Sequence, residues 1–282
     1  MVALFGIAAG LTVIWYTAMF SVLSFLQTTM RVEETTAQLI TGAGVLMGTG
    51  WFLLFGHVSD RIGRKTPIVV GYVLTLLLLF PIFWTIGSAA NPGLARAAAD
   101  NPVVVHGERC SYSPFDKVQA TPCGKLLDQL SKKGVPYTVA TSTDTHVTIG
   151  TRDIGTPDAA ALDTALAAAG YDLAKVKPAT GNIALILLAI LAMSLLSGIT
   201  YGPVAALLSE MFPPAIRYSS LSIPYHLGTG YFGGFLPFIS QYIVAKTGDP
   251  YAGLWYTWGV TLLALIVTAV WLKEDRAGHA VA

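Results

Sequence analysis

Six long stretches of the chain contain no Asp, Glu, Lys or Arg, and they constrain the fold more than any other feature. They are 1–30, 35–59, 66–95, 178–209, 218–245 and 250–272. Each is long enough for the roughly 20 residues with which an α-helix crosses a bilayer. Only 12% of the 282 residues are charged, against about a quarter in soluble domains. This excludes an ordinary cytosolic enzyme, a disordered chain and a nucleic-acid binder.

The stretches predict an all-α membrane protein with six transmembrane helices. The expected helices are 5–28, 36–57, 66–88, 182–209, 219–245 and 251–272. The first stretch is apolar for about 30 residues and has no basic segment before it, so we interpret it as a span and not as a signal peptide. The missing basic flank also suggests that the chain begins partway through a longer one.

The short loops predict the orientation, because Lys and Arg accumulate on the cytoplasmic side of a membrane. With both termini inside, the short outer loops hold only two cations, Arg31 and Lys246. The long insert is not counted. The inner segments hold six cations, Arg61, Arg64, Lys65, Arg217, Lys273 and Arg276. We therefore expect a multi-pass plasma-membrane protein with both termini cytoplasmic, including a short tail at 277–282.

Residues 91–180 form an insert of different composition between the third and fourth spans. Eighteen of the 33 charged residues lie between Arg96 and Lys177, which predicts a soluble, extracytoplasmic α+β domain. The expected strands are 102–107, 136–141, 145–151 and 171–177, and the expected helices are 122–133 and 157–169. This βαββαβ order is that of a small ferredoxin-like sandwich.

The insert contains the two cysteines of the chain, Cys110 and Cys123. In an oxidising extracytoplasmic compartment a disulfide between them is the natural expectation. His106 and His146 lack the paired short spacings of a zinc site, so we interpret them as solvated strand residues and predict no metal. We find no phosphate loop, nucleophile elbow or paired carboxylates, so neither an enzyme nor a cofactor is expected.

The strongest motif joins the second and third spans. Residues 56–65 read Gly-His-Val-Ser-Asp-Arg-Ile-Gly-Arg-Lys, a tight basic loop in which Asp60 can accept hydrogen bonds from a neighbouring arginine. The segment resembles the G-x-x-x-D-R-x-G-R-K loop of the major facilitator superfamily. A generic basic inner loop is the alternative.

A second group of motifs lies in the fourth and fifth spans. It comprises Tyr-Gly-Pro-Val-Ala-Ala at 201–206, Ser-Glu-Met-Phe-Pro-Pro at 209–214, Arg-Tyr-Ser at 217–219 and Pro-Tyr-His-Leu-Gly at 224–228. These resemble the tenth and eleventh helices of the metabolite:proton symporter family, which includes shikimate, α-ketoglutarate, citrate and proline/betaine carriers. The six spans then correspond to the carboxy-terminal half of a twelve-helix fold, and the insert lies outside the resemblance.

The resemblance implies a secondary active transporter, or half of one, that moves a small polar metabolite, a carboxylate, by proton symport with alternating access. Its partners would be the substrate, the proton, the lipid bilayer and either the missing amino-terminal half or a second copy. The implied gating residues are Gly56, Asp60, Arg61, Gly63, Arg64, Glu210 and Arg217. For Glu210 and Arg217, solvated helix ends remain the alternative.

Helical spacing nominates a substrate or proton pathway, because polar side chains within a span usually face inward. The nominated residues are Tyr16, Gln27, Ser197, Tyr201, Tyr225, His226 and Thr229. His226 is the one group well inside a span that titrates near neutral pH, so it can relay protons. The alternatives are a neutral His226 satisfied within the bundle, and hydroxyls that only bond their own backbone.

A second function of another class stays open. The chain could be a membrane-anchored receptor or assembly protein whose insert binds a ligand or partner. An integral-membrane enzyme ranks third, because no catalytic constellation lies at an interface.

Overall fold

The structure is a computed structural model, and it describes residues 1–108, 110, 112–113, 116, 118–274 and 280–281. The described residues are mostly helical. The helices, in chain order, are α1 Val2–Thr29, α2 Glu34–Ile62, α3 Lys65–Ala90, α4 Pro92–Asp100, α5 Pro122–Lys132, α6 Ala159–Ala168, α7 Thr180–Glu210, α8 Arg217–Gly228, α9 Leu236–Thr247 and α10 Leu254–Trp271. In α1, π-helical turns alternate with α-helical ones.

Five helices among the described residues are long and apolar enough to cross a membrane, namely α1, α2, α3, α7 and α10. The predicted count of six is not confirmed, because α8 and α9 replace the expected fifth span at 219–245. Between them lies a π-helical turn, Thr229–Gly234, and the second helix starts with a proline in its first turn. Glycine and proline weaken continuous helix here, since glycine is flexible and Pro237 has no backbone N–H.

Helix α7 packs tightly between α2 and α3. A Cβ atom at Gly48 of α2 would lie 2.4 Å from the Cβ of Ser194, and one at Gly71 of α3 would lie 2.4 Å from the Cγ2 of Thr200. Such small-residue contacts let the backbones of transmembrane helices approach closely. Ser194 is therefore used for packing.

Helix α1 lies at the centre of the bundle, where it contacts α7, α8 and α10. Its buried side chains include Ile7, Leu11 and Ile14. Two polar contacts fix its position: the Tyr72 hydroxyl donates to the Gly6 carbonyl at 2.8 Å, and the hydroxyls of Thr17 and Thr257 lie 2.7 Å apart. These polar groups of α1 thus find partners within the protein, as an apolar solvent requires.

The insert begins with α4, which the sequence analysis did not predict, and continues as a four-stranded sheet of order β2-β1-β3-β4 with two further helices, α5 and α6. The strands are β1 Val103–His106, β2 Tyr137–Ala140, β3 His146–Ile149 and β4 Arg152–Asp153. Strand β1 pairs parallel with β2 and antiparallel with β3. The inward side chains of β1 and β3 form one apolar core with buried leucines of both helices.

One predicted strand of the insert is wrong. The expected strand at 171–177 is not a strand: within this fully described segment only Val176 forms a bridge, to Val32 in the loop after α1. Its backbone bonds Arg31 and Glu33, so the segment joins the membrane domain and not the sheet. Strand β4, which the pattern missed, closes the sheet edge. The ferredoxin-like order is therefore not confirmed.

The chain ends beyond α10 in a short strand pair, β5 Lys273–Glu274 with β6 Ala280–Val281. Residues 277–279 and 282 of the predicted tail, and Arg276, lie outside the described residues.

Candidate functional site

The loop between α2 and α3 places Arg64 at the centre of an inner cluster. Gly63 has a φ of 87°, a positive value that glycine adopts without strain, and it turns the chain within two residues. Arg64 Nη1 donates to the Ser59 Oγ at 2.8 Å and to the Asp60 carboxylate. Its Nε and Nη2 both donate to Glu210 Oε1 at 3.2 Å. Arg64 thus joins the loop to the inner end of α7.

The two ion pairs of Arg64 differ in exposure. The side chains of Arg64 and Glu210 are 15% and 21% exposed, whereas that of Asp60 is 57% exposed. Burial of the guanidinium favours its neutral form, but hydrogen bonds to Asp60 and Glu210 outweigh this and raise the pKa of Arg64. Since charge pairs weaken with solvent exposure, the pair with Glu210 is the stronger link.

The other predicted gating residues lie outside this cluster. Arg61 is exposed, and a Cβ at Gly56 would lie 3.6 Å from the Gly202 carbonyl oxygen of α7. The guanidinium of Arg217 donates to the Phe212 carbonyl at 3.1 Å and not to a carboxylate. The structure therefore unites Asp60, Arg64 and Glu210 only.

Sequence reasoning missed Lys65 as an inner contact. Its Nζ donates to the carbonyls of Ala269 and Leu272, at 2.9 and 2.6 Å, at the end of α10. A cation at a helix carboxyl end satisfies carbonyls that lack helical partners. The sequence feature that could have indicated this contact is a lysine next to the α2–α3 loop, from which it can reach the end of an apolar helix.

A tyrosine pair connects α7 with α8. The hydroxyls of Tyr201 and Tyr225 are hydrogen-bonded to each other, and the Phe52 ring lies 5.9 Å from that of Tyr201. Close by, α1 meets the π-helical turn, where the hydroxyls of Thr12 and Thr229 lie 3.4 Å apart. The predicted pathway residues on three different elements thus meet near the bundle centre.

Tyr16 and Ser197 also belong to the interior. Tyr16 of α1 is half-buried, and its ring would lie 2.8 Å from a Cβ at Gly233. Ser197 of α7 is buried, and its Oγ has no hydrogen-bond partner among the described residues. A buried hydroxyl without a partner is available to a ligand or water.

Two predicted pathway residues lie elsewhere. Gln27 is near the carboxyl end of α1. Its side-chain Nε2 donates to the Glu34 carbonyl at 3.5 Å, and its backbone carbonyl accepts from Lys175 Nζ at 3.1 Å. His226 is exposed, and its ring contacts that of Tyr225 edge-on at 5.6 Å. Gln27 therefore lies away from the tyrosine pair, whereas His226 contacts one member of it from an exposed position.

The insert contacts the carboxyl ends of α1 and α9. The Tyr137 N–H donates to the Gly248 carbonyl at 3.2 Å, and its hydroxyl donates to the Ala245 carbonyl. Between α1 and α9 lies a small cavity of about 40 Å³, beside which Gln241 Nε2 donates to the Ser24 Oγ at 2.7 Å. Sequence periodicity did not identify this cavity, because residues from distant parts of the chain line it.

The insert contains the predicted cysteine pair. Cys110 and Cys123 are bonded, with Cα atoms 5.3 Å apart, and fasten the loop after β1 to the start of α5. His106 and His146 face each other across β1 and β3, with ring centroids 4.3 Å apart. Among the described residues, no group of three His, Cys, Asp or Glu side chains could hold a metal ion.

Comparison with known proteins finds transporters that match part of the chain. The inner membrane metabolite transport protein YhjE of Escherichia coli is 33% identical over 91 residues, which are 32% of this chain and 21% of that protein. The ectoine/proline transporter ProP of Corynebacterium glutamicum is 35% identical over 69 residues, 24% of this chain and 14% of that protein. No protein-family model matches, and neither does any solved structure.

The chain therefore spans about a fifth or less of the lengths of these relatives. Their names denote transporters, which are not enzymes. Together with five long apolar helices, the similarity identifies a multi-pass membrane protein related in part to small-molecule transporters.

Proposed function

We propose that the chain is the carboxy-terminal six-helix half of a major facilitator secondary transporter. It moves a small polar metabolite, a carboxylate, by proton symport with alternating access. The observation that carries this proposal is Arg64, held between Asp60 of the inner loop and Glu210 of α7. In this reading α8, the π-helical turn and α9 together form the sixth crossing.

The Arg64 cluster would act as the inner gate. Its ion pairs hold the α2–α3 loop against the inner end of α7, which closes the cytoplasmic mouth. Opening separates Arg64 from Glu210 and exposes both groups to water, where their charges are solvated. The gate is therefore reversible, because solvation of the separated charges offsets the loss of their ion pair.

The substrate would bind beside the Tyr201–Tyr225 pair, with Tyr16, Ser197 and Thr229 around it. Hydroxyl groups can donate to a carboxylate or to a polar neutral solute. Inside the spans of this chain no Asp, Glu, Lys or Arg is available, so His226 is the proton carrier that this half supplies. Gln27 would contact substrate at the outer entrance.

A complementary surface must cover the open side of the bundle. Leu46 and Leu53 of α2 are 77% and 78% exposed, and Tyr231 of the π-helical turn is 64% exposed. A second six-helix half, or a second copy of the chain, would meet part of this surface and the bilayer would meet the rest. Exposed His226 lies on α8, next to the turn, and could then face the substrate across the interface.

The membrane orientation is part of the proposal. The excess of Lys and Arg in the inner segments supports cytoplasmic termini and an extracytoplasmic insert in the plasma membrane. The alternative function, a receptor or assembly protein, is not favoured, because the relatives that match the chain are transporters.

The test uses the chain joined to, or expressed with, its complementary half. Glu210→Gln keeps a hydrogen-bond acceptor for Arg64 but removes the charge. We expect normal abundance, slower uptake and faster labelling of a cysteine placed in the inner mouth. Arg61→Gln, in the same loop but exposed, is the matched control. Normal uptake and unchanged labelling in Glu210→Gln would show that the cluster is not a gate.

A further inference from the structure

An open cleft of about 590 Å³ lies where the insert meets the loop after α1. One wall carries two cations, Arg31 from that loop and Lys133 from the end of α5. The other wall carries two carboxylates, Asp163 on α6 and Asp172 just after it. The positive and negative charges of the cleft therefore come from different elements and face each other.

The backbone at Arg31 is strained. Its φ is +56°, which non-glycine residues adopt rarely and at an energetic cost. The surrounding contacts impose this conformation: the Arg31 carbonyl accepts from the Val176 N–H at 2.9 Å, and Nη1 donates to the Lys133 carbonyl at 3.0 Å. The side chain of Arg31 lines the cleft.

The guanidinium is also incompletely satisfied. Arg31 Nε is buried and has no hydrogen-bond partner among the described residues. A buried charged donor without an acceptor is costly, which makes an anionic ligand favourable here. On the opposite wall Asp172 Oδ1 accepts from the Ala174 N–H at 2.9 Å, while the exposed carboxylate keeps accepting capacity for a cation.

Lys133 and Asp163 form an ion pair with each other in the cleft. This pair contributes little net free energy where solvent reaches it, so a ligand that offers both charges could replace it. Two cations and two carboxylates leave the cleft without net charge, so a simple anion or a simple cation would meet as much repulsion as attraction.

We infer that this cleft binds a compact zwitterion. Its carboxylate or phosphate would take the place beside Arg31 and Lys133, and its ammonium group would lie beside Asp163 and Asp172. Either a free solute or the headgroup of phosphatidylethanolamine carries both charges. The inference is independent of the proposed transport function, because the cleft lies at the insert and away from the Tyr201–Tyr225 pair.

The experiment measures binding of glycine betaine to the full chain in phosphatidylglycerol nanodiscs by calorimetry. Arg31→Asn removes the guanidinium with a residue that tolerates positive φ, and Asp172→Asn keeps the oxygen that accepts from Ala174. We expect each to raise Kd about fivefold. The matched control is Asp153→Asn on β4, whose Oδ1 likewise accepts a backbone N–H, from Gly155 at 2.8 Å. It should leave Kd unchanged.

A second arm distinguishes the sources of the zwitterion. Native mass spectrometry of the chain from nanodiscs with phosphatidylethanolamine counts retained lipids, and retention that falls in Asp172→Asn but not in Asp153→Asn would assign the cleft to the headgroup. If betaine binding, measured without that lipid, falls in Asp172→Asn but not in Asp153→Asn, the cleft would be assigned to a free solute. If neither ligand binds, or if binding is the same in both cleft variants as in the unchanged chain, the inference is overturned.

Discussion

The guanidinium of Arg64 donates to a single oxygen of Glu210 from two nitrogens, Nε and Nη2, each at 3.2 Å. The two residues are 146 positions apart in the chain, so this contact fixes the α2–α3 loop against the end of α7. The second oxygen of Glu210 is buried without a partner among the described residues. The negative charge of the Glu210 carboxylate is therefore compensated by Arg64.

Arg64→Ala should lower the free energy of unfolding by about 1–3 kcal/mol, because it leaves the half-buried Glu210 carboxylate without a donor. Unfolding by SDS or heat in detergent measures the change. Arg61→Ala removes an equal charge from an exposed position of the same loop and should change stability by less than about 0.5 kcal/mol. Equal effects of the two substitutions would contradict the assignment.

The hydroxyl pair of Tyr201 and Tyr225 predicts energetic coupling between α7 and α8. Tyr201→Phe and Tyr225→Phe each remove one partner, and their double-mutant cycle should give about 0.5–1.5 kcal/mol of coupling. Tyr218→Phe is the control, since Tyr218 lies on α8 but is 83% exposed. A coupling of zero between Tyr201 and Tyr225 would show that their contact contributes nothing to stability.

The lengths of the charge-free stretches and the local motifs predicted much of the fold and part of the candidate site. The long helices α1, α2, α3, α7 and α10, the pairing of Cys110 with Cys123, and the meeting of Asp60 with an arginine all follow from local sequence, because composition and short spacing determine them. Helical periodicity also nominated Tyr201 and Tyr225 for the pathway, and their hydroxyls are hydrogen-bonded to each other.

The features that sequence could not predict depend on tertiary contacts. Periodicity placed His226 on the inward face, but the π-helical turn and the packing of α8 against α1 leave it exposed. Similarly, 171–177 has a strand-like pattern, yet Val176 pairs with Val32 of the membrane domain. Lys65 reaches the carbonyl groups at the end of α10 only in the folded chain, because the two are far apart in the sequence.

Two glycines of the π-helical turn should respond oppositely to alanine. A Cβ at Gly233 would lie 2.1 Å from the Thr12 Cγ2, whereas one at Gly230 would have no heavy atom within 4 Å. Gly233→Ala should therefore destabilise the chain by about 1–3 kcal/mol through overpacking. Gly230→Ala should be neutral or slightly stabilising, because alanine favours helix. Thermal unfolding in detergent compares them, and a harmless Gly233→Ala would contradict this packing.

The orientation of the insert predicts a labelling pattern. Membrane-impermeant maleimide should label Cys110 and Cys123 of intact cells only after reduction, because the disulfide protects both thiols. Cys123→Ser leaves the half-buried Cys110 free and should allow labelling without a reductant. Labelling that requires permeabilised cells would place the insert inside. Labelling of the unchanged chain without reductant would show that the bond does not form in the cell.

The last prediction is that the 282-residue chain does not catalyse proton-coupled transport by itself. Carriers built from two helical repeats bind substrate between them and alternate access by moving one against the other. This chain supplies one such surface, in which the Tyr201–Tyr225 pair is satisfied and His226 is exposed. Two copies would place identical faces together, without the asymmetry that coupling requires.

Liposomes containing the chain and a pH gradient provide the measurement, with organic acids and betaines as substrates. We expect no gradient-driven uptake by the chain alone and uptake once a complementary six-helix half is added. His226→Ala should then abolish the dependence of uptake on the gradient, whereas His57→Ala, at the inner end of α2, should preserve it. Uptake by the chain alone that is lost in His226→Ala would overturn the half-transporter proposal, because one six-helix body would then suffice for coupling.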